Sequence, residues 1–505
     1  MSEHGLFFWC NLSQDKQSFN KMLLLTFARI FGILFSIAIP MYLGRSLTVE
    51  TYGTYKQIML FFWLSQVALN FGIDDSAYYH LRKTPKLFPL FSFNALRFNL
   101  VAMVIILSGL SFFRVQIASA LNNPELASYL PLVGFLLLVT VCSAQYEGIL
   151  IGLDRFKQRL VVELSMELLK AAAILCGFFF FHSISMVLVF LSTIMTTKLI
   201  LTWFEINKYK EKYQLEYQDA KKYFKEQLHF GLPLGLGRIV QNLLNMEKFI
   251  VSSFFSITQF TFYSVGCFEN PLINAVQASM YELVNIELVD ATKHGDFKQA
   301  LEIWRRMNRK LMLVVIPFII YMCFFATEII TFVFSEKYLS SVPFFIAFNF
   351  SVLALAINPE PLFRATSKTR VSLKLRAIFA TSGFVLIILA AKFYGPMETL
   401  ITKVIVLFLM NILGLAIGAR FINAHFFQLF RWKQIFGVTS LGLVFSYGLK
   451  VLMANYSWHP FWILASSFTL YLLLILISSL LFGIIKNDEK EHLLSLIKKI
   501  LPSRL

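Results

Sequence analysis

Apolar runs of membrane-spanning length recur along this chain, and no other feature restricts its fold as strongly. A bilayer core about 30 Å thick is crossed once by about 20 apolar residues in a helix. Inside hydrocarbon the backbone amides and carbonyls must satisfy one another, which a helix does within a single segment. The predicted fold class is therefore all-α and polytopic. Composition agrees: of 505 residues, 57% are hydrophobic and only 15% charged, with a mean hydropathy of +0.67, whereas soluble domains carry roughly 25% charge.

Apolar windows cover residues 22–43, 55–78, 91–113, 129–151, 159–181, 186–206 and 229–253, then 258–282, 309–334, 340–364, 371–392, 398–421, 434–453 and 460–485. These predict fourteen transmembrane helices, the first of them a retained span and not a cleaved leader. Charge supports the order. Lys and Arg crowd alternate connections: Arg82, Lys83 and Lys86; Arg155, Lys157 and Arg159; the lysines from Lys208 to Lys225; Lys293 to Lys310; Arg364 to Arg376; Arg420, Arg431 and Lys433. The intervening connections hold about one each, among them Arg45, Arg114, Lys337, Lys392 and Lys450. Basic residues collect on the cytoplasmic side of polytopic proteins, so both termini are predicted cytoplasmic. The same rule accounts for the net charge of +17 without nucleic acid as a partner.

The longest polar interruption, "KYKEKYQLEYQDAKKYFKEQ" at 208–227, follows six spans. The expected organisation is an N-lobe at 1–206, a cytoplasmic linker at 207–228, a C-lobe at 229–433, a final helix pair at 434–485 and a tail at 486–505. Six is even, so the seventh span enters from the same side as the first, which permits two lobes related by an axis along the membrane normal. "FARIFG" at 27–32 and "LGRIVQ" at 236–241 echo one another near the start of each lobe. In the tail, Leu493, Ile497 and Ile500 share one helical face with lysines opposite, a pattern suited to the membrane surface.

Several chemistries are not indicated. Cys10, Cys142, Cys176, Cys267 and Cys323 are scattered, without C-x-x-C spacing, so neither a disulfide framework nor a zinc site is expected. There is no phosphate-binding G-x-x-x-x-G-K-[ST] loop and no H-E-x-x-H pair, and no resident cofactor or metal is expected. Outer connections are too short for an extracytoplasmic catalytic domain, so the chain is not expected to be an enzyme.

The informative residues are charges inside the spans, because each must be solvated by protein or by a water-filled cavity. In "GLGRIVQNLLNMEKFI" (235–250), Arg238, Gln241, Asn242, Asn245 and Lys248 fall on one face of a continuous helix. At 1.5 Å per residue, Arg238 lies roughly 13 Å inside the boundary. Arg29, Lys170 and Lys198 also come out mid-span. Four such cations facing lipid would cost roughly 10–14 kcal/mol, so they are expected to face an interior. Glu163, Glu167 and Lys170 share a face of the fifth span, and Glu269 leads a polar face with Asn270, Asn274 and Gln277. The excess left over is positive, carried by Arg29, Lys198 and Arg238. A positive interior invites an anion, since arginine offers a planar fork for phosphate; interhelical ion pairing is the competing reading. The amides Gln241, Asn242 and Asn245 fit sugar hydroxyls or, more commonly, helix-to-helix hydrogen bonds. "INPEP" at 357–361 cannot be regular helix, and Pro40, Pro271 and Pro317 are expected to kink their helices.

The arrangement of six, six and two spans resembles the polysaccharide and O-antigen flippases of the multidrug/oligosaccharidyl-lipid/polysaccharide exporter superfamily. "YLGRSLTVETYGTYKQ" (42–57) is similar to that family's first outer loop. "HFGLPLGLGRIVQNLLNMEKFIVSSFFSITQFTFYSVG" (229–266) resembles its Gly-x-Pro opening of the seventh span and the charged pair near that span's end. "VFSEKYLSSVPFFIAF" (333–348) and "FRATSKTR" (363–370) resemble segments around the tenth. The resemblance implies an inner-membrane flippase that carries an undecaprenyl-pyrophosphate-linked oligosaccharide, an O-antigen or other surface polysaccharide unit, to the outer leaflet by alternating access. It implies a cationic cavity to which Arg29, Lys198 and Arg238 fit, with Lys248, Lys170, Asn242 and Asn245 beside them. Glu163, Glu167 and Glu269 are then the candidates for coupling to a proton or sodium gradient or to the membrane potential. A glycan polymerase and chain-length machinery are the implied partners. Here Glu247 precedes Lys248, where the family usually has aspartate. The alternatives are a cation-coupled small-molecule exporter of the same fold and a membrane glycosyltransferase or ligase.

Overall fold

The computed structural model describes residues 32–483 apart from 33, 36, 70, 71, 269, 270, 455 and 457. The described residues form α-helices, short 3-10 turns and connecting loops, with no strand among them. The all-α polytopic fold therefore holds. Among the described residues nine helices are long and apolar enough to cross a membrane.

Several predicted windows are shared between two helices. Window 55–78 is divided between α2 (Val49–Leu69), which follows α1 (37–46), and α3 (Ile73–Lys83). Window 229–253 is divided between α10 (Ala220–Asn242) and α11 (Glu247–Phe254) by a 3-10 turn at Leu243–Met246. Window 258–282 is divided between α12 (Ile257–Gly266) and α13 (Pro271–Lys293), and Pro271 opens α13 instead of kinking it. Window 159–181 lies in α8 (Phe156–Phe179), whose charged residues set it apart from the nine.

The chain separates into two compact units, Met1–Thr261 and Phe262–Leu505. In the first unit, α6 (Leu126–Ser143) packs against α4 (Phe88–Phe112) and α9 (Ile184–Lys212). α8 covers α9, and the seventh span, α10 and α11, packs on α2, α3 and α4. Three polar contacts tie that span in place along its length. Near its start, Gln227 is fully buried and exchanges hydrogen bonds with Asn94, which donates to it at 2.9 Å, and with the Phe91 carbonyl at 2.9 Å. In its middle Arg238 meets Asp75. At its far end Gln57 donates to the Ser252 hydroxyl at 2.7 Å, while Asn123 donates to Gln57 at 2.8 Å. Hydrogen bonds on both sides of these buried amides offset the cost of removing them from water.

Gly72 sets the break before α3. It has φ +73°, the left-handed conformation that glycine adopts without steric cost. It also touches Gly231 of α10 backbone to backbone: a Cβ on Gly231 would come within 2.8 Å of the Gly72 carbonyl. Two glycines thus let α10 cross the start of α3 at the shortest distance available.

In the second unit, α14 (Phe297–Phe324) packs against α13, α16 (Val342–Ala356) and α20 (Trp432–Ala454), burying Trp304, Leu311 and Val315 completely. α18 (Thr369–Phe393) and α19 (Pro396–Phe421) form an adjacent pair, and α21 (Pro460–Leu481) closes on α20. As "INPEP" predicts, helix stops at Ala356 and restarts at Glu360 as α17 (Glu360–Ala365). The carbonyls freed there are taken by side chains: the Tyr281 hydroxyl donates to Ala356 at 2.9 Å and Asn411 to Ala354 at 2.7 Å. This is the internal satisfaction that irregular backbone at membrane depth requires. Pro317 sits inside α14, where its carbonyl accepts from the Tyr471 hydroxyl at 2.9 Å.

Gly72→Ala is expected to destabilise the protein by about 1–2 kcal/mol from the left-handed backbone alone, with the clash against Gly231 adding to it. Thermal unfolding in detergent micelles measures this; an unchanged midpoint would show that the crossing is loose.

Candidate functional site

The left-handed turn at Gly72 places Asp74 and Asp75 in the first turn of α3, where the positive end of the helix dipole favours carboxylates. Two turns beyond Gly231 on α10, Arg238 reaches Asp75: its Nη2 lies 2.8 Å from Oδ1 and 2.6 Å from Oδ2. Asp74 points elsewhere. It accepts from the buried amide of Asn99 on α4, at 3.1 and 3.3 Å. α7 (Gln145–Gly152) contributes Gln145, 4% exposed, which donates to the Ser92 carbonyl at 3.2 Å. The Gln145 Oε1 is buried without a hydrogen-bond partner.

These groups surround a cavity of about 240 Å³ lined by Asp74, Asp75, Gln145 and Arg238, with Tyr78 and Ile149 among its apolar walls. Arg238 and Asp75 remain 39% and 36% exposed, so the pair is accessible from the cavity. A guanidinium at such a place can exchange one carboxylate for another anionic group without being carried through hydrocarbon.

The remaining sequence candidates are distributed around this site. Lys198 on α9 is buried and donates to Glu147 at 2.7 Å. α7 therefore serves both cations, offering Gln145 to the cavity and Glu147 to Lys198. Lys170 pairs with Glu167 on its own helix at 2.6 Å, as their shared face predicts, and Glu163 pairs with Arg159 at 3.6 Å. Asn242 donates to the Arg238 carbonyl at 3.0 Å, and Asn245 to Asn242 at 3.2 Å. The second bond follows from the 3-10 turn, in which residues three apart eclipse. These two amides are thus engaged within their own segment. Lys248 lies beyond the turn on α11, half-buried, so the expected continuous stripe is interrupted. Arg29 and Glu269 lie outside the described residues.

The expected positive surplus is corrected for two of its three carriers, because Lys198 and Arg238 each hold a carboxylate. The partners are Glu147 and Asp75. Both were visible: Glu147 falls within window 129–151, and "GIDD" at 72–75 places two aspartates within window 55–78.

Solved structures share this polytopic helical fold. A lipid II flippase MurJ in an inward closed conformation matches with a TM-score of 0.68 at 17% identity, over 92% of this chain and 99% of that one. An inward-facing multidrug resistance MATE family transporter of the MOP superfamily matches with a TM-score of 0.57 at 14% identity, over 80% and 98%. A Vibrio cholerae MATE transporter, VcmN, matches with a TM-score of 0.51 at 15% identity, over 78% and 94%. The chain itself belongs to the polysaccharide biosynthesis protein family, whose model matches residues 42–343. No curated protein matches it in sequence.

Glu147→Gln would leave the buried Lys198 ammonium without its carboxylate, and the expected loss is about 2 kcal/mol of stability. Adding Lys198→Met should recover most of it. Denaturation of the single and double variants checks this, and a double variant no more stable than Glu147→Gln would count against the pair as the cause.

Proposed function

We propose that the protein is a flippase that moves a lipid-linked oligosaccharide across the membrane, an undecaprenyl-pyrophosphate-linked surface polysaccharide unit such as O-antigen. The observation that carries this reading is Arg238, a guanidinium bound to one carboxylate and lining a cavity; the apolar window 229–253 predicts it at membrane depth. A pyrophosphate offers oxygens of the geometry and charge that an arginine fork takes in place of Asp75. Membership of the polysaccharide biosynthesis family and the fold shared with a lipid II flippase support the same substrate class.

In this reading the anionic head enters a solvated path while the lipid tail stays in the bilayer. Arg238 holds the head, joined by Arg29 and Lys198, with Lys170 and Lys248 flanking the path and Asn242 and Asn245 beside it. The two lobes, 1–206 and 229–433, open alternately to either side, with the final pair at 434–485 attached to the second. The setting is the inner membrane with both termini cytoplasmic, and the flipped lipid passes to a glycan polymerase and its chain-length machinery. No covalent step is required of the protein.

A second reading, a cation-coupled small-molecule exporter, is favoured by Asp74 and Asp75, since two carboxylates against one guanidinium suit a cationic ligand. Family membership weighs for the first reading.

Depletion of the protein is expected to leave lipid-linked glycan on the cytoplasmic leaflet, as read by leaflet-selective labelling; normal outward appearance of the glycan would remove the flippase reading. Arg238→Ala is expected to abolish flipping with the protein still inserted, while Arg238→Lys keeps part of it. Full flipping by the alanine variant would reduce Arg238 to an interhelical tie.

A further inference from the structure

Within the second unit, α14, α16, α19 and α20 surround an apolar cavity of about 580 Å³ that no charged residue lines. All four belong to segments long and apolar enough to cross a membrane. The lining runs from Met312 to Phe324 on α14 and from Trp432 to Leu443 on α20, roughly 16–18 Å at 1.5 Å per residue. One leaflet of a hydrocarbon core about 30 Å thick is about 15 Å deep. The end of the cavity at Trp432 is basic. Arg431 and Lys433 flank Trp432 in sequence, and Lys433 is exposed. Arg305 precedes Met312 by seven residues on the same stripe of α14, and its Nε donates to the Gln428 carbonyl in the connection that leads to Trp432. Arg305 and Arg431 share one carboxylate, Glu302. Three cations against that one acid leave a charge of +2 over these four residues.

We propose that this cavity holds one acyl chain of an anionic phospholipid, with the lipid phosphate at Arg305, Arg431 and Lys433. Basic pockets between membrane helices bind anionic headgroups, and tryptophan sits at headgroup level. A chain entering beside Trp432 meets Phe350 and Leu443 at the depth where a leaflet ends. The surplus charge at the mouth selects the lipid, because a zwitterionic headgroup brings no net charge to answer it. The connection that carries Arg431 and Lys433 is one that the charge rule assigns to the cytoplasm, so the lipid comes from that leaflet. A polyprenyl chain is longer and would continue past Phe350 into a second apolar cavity, about 480 Å³, between α16 and α19; a phospholipid has no need of it. The site is independent of what the protein flips.

The test is native mass spectrometry of the purified, delipidated full-length protein given phosphatidylglycerol, phosphatidylcholine or undecaprenyl phosphate in turn. One phosphatidylglycerol per protein is expected, held about tenfold more tightly than phosphatidylcholine. Lys433→Gln changes an exposed position and should cut that preference about threefold; adding Arg431→Gln should bring the two lipids to parity. Thr439→Trp fills the cavity from α20 and should remove the bound lipid with the basic end untouched. Thr439→Leu, a smaller change, should weaken binding in part should the tryptophan variant fail to fold. Equal retention of the two phospholipids, or phosphatidylglycerol binding unmoved by both Thr439 variants, would overturn the proposal. So would undecaprenyl phosphate binding more tightly than phosphatidylglycerol and lost with Thr439→Trp, or a second copy of the chain in place of a lipid. Bound phosphatidylglycerol in a protein whose depletion leaves glycan export normal would reject the flippase reading and leave the lipid site standing.

Discussion

The ion pair between Arg238 and Asp75 fixes the organisation of the first unit. An isolated guanidinium facing hydrocarbon costs ~2.5–3.5 kcal/mol, so α10 cannot settle against its neighbours unless a carboxylate arrives at the same depth. That carboxylate comes from α3, and its position depends on the turn that Gly72 permits and on the close approach to Gly231. Remove the backbone contact and the two charges no longer meet. Keep it, and the rest of the seventh span follows, with Gln227 held near one end and Ser252 at the other. One electrostatic requirement thereby selects a backbone crossing, and the crossing selects the packing around it.

The same requirement explains why charge clusters where it does. Lys198 draws in Glu147, Lys170 draws in Glu167, and Lys450 meets Glu328 in the second unit. Pairs of this kind add little net stability, because desolvation offsets attraction. The value of the two pairs that join different helices, Lys198–Glu147 and Lys450–Glu328, lies in specificity, since each restricts which helix faces can adjoin. Arg238 differs in one respect. Its pair borders a cavity with a second carboxylate, so the interaction that positions the helices is also the one a ligand can contest.

Much of this was legible in the residues. Apolar windows located the helices, and prolines 359 and 361 marked the gap between α16 and α17. The spacing of Glu167 and Lys170 foretold their contact, because residues three apart on a helix are neighbours whatever the tertiary fold. Arg238 was identifiable as costly in lipid from its depth alone. Its partner was not, because Asp75 lies 163 residues away in sequence and no local pattern encodes which helices adjoin. Periodicity also failed at Leu243–Met246. Nothing in "LLNM" forbids α-helix, and the tighter turn arises where the span passes from one set of neighbours to another.

That short 3-10 turn has a consequence for how one span addresses two environments. Four residues advanced at three per turn, where 3.6 would continue the helix, rotate everything beyond them by roughly 80°. The half containing Arg238 looks toward α3 and α4, while the half containing Ser252 is phased toward Gln57 of α2. The span therefore behaves as two keyed cylinders on a common axis, with the turn as the coupling between them. A change of pitch at Leu243–Met246, from three residues per turn to 3.6, would swing Ser252 out of register with Gln57 and leave Arg238 on its carboxylate.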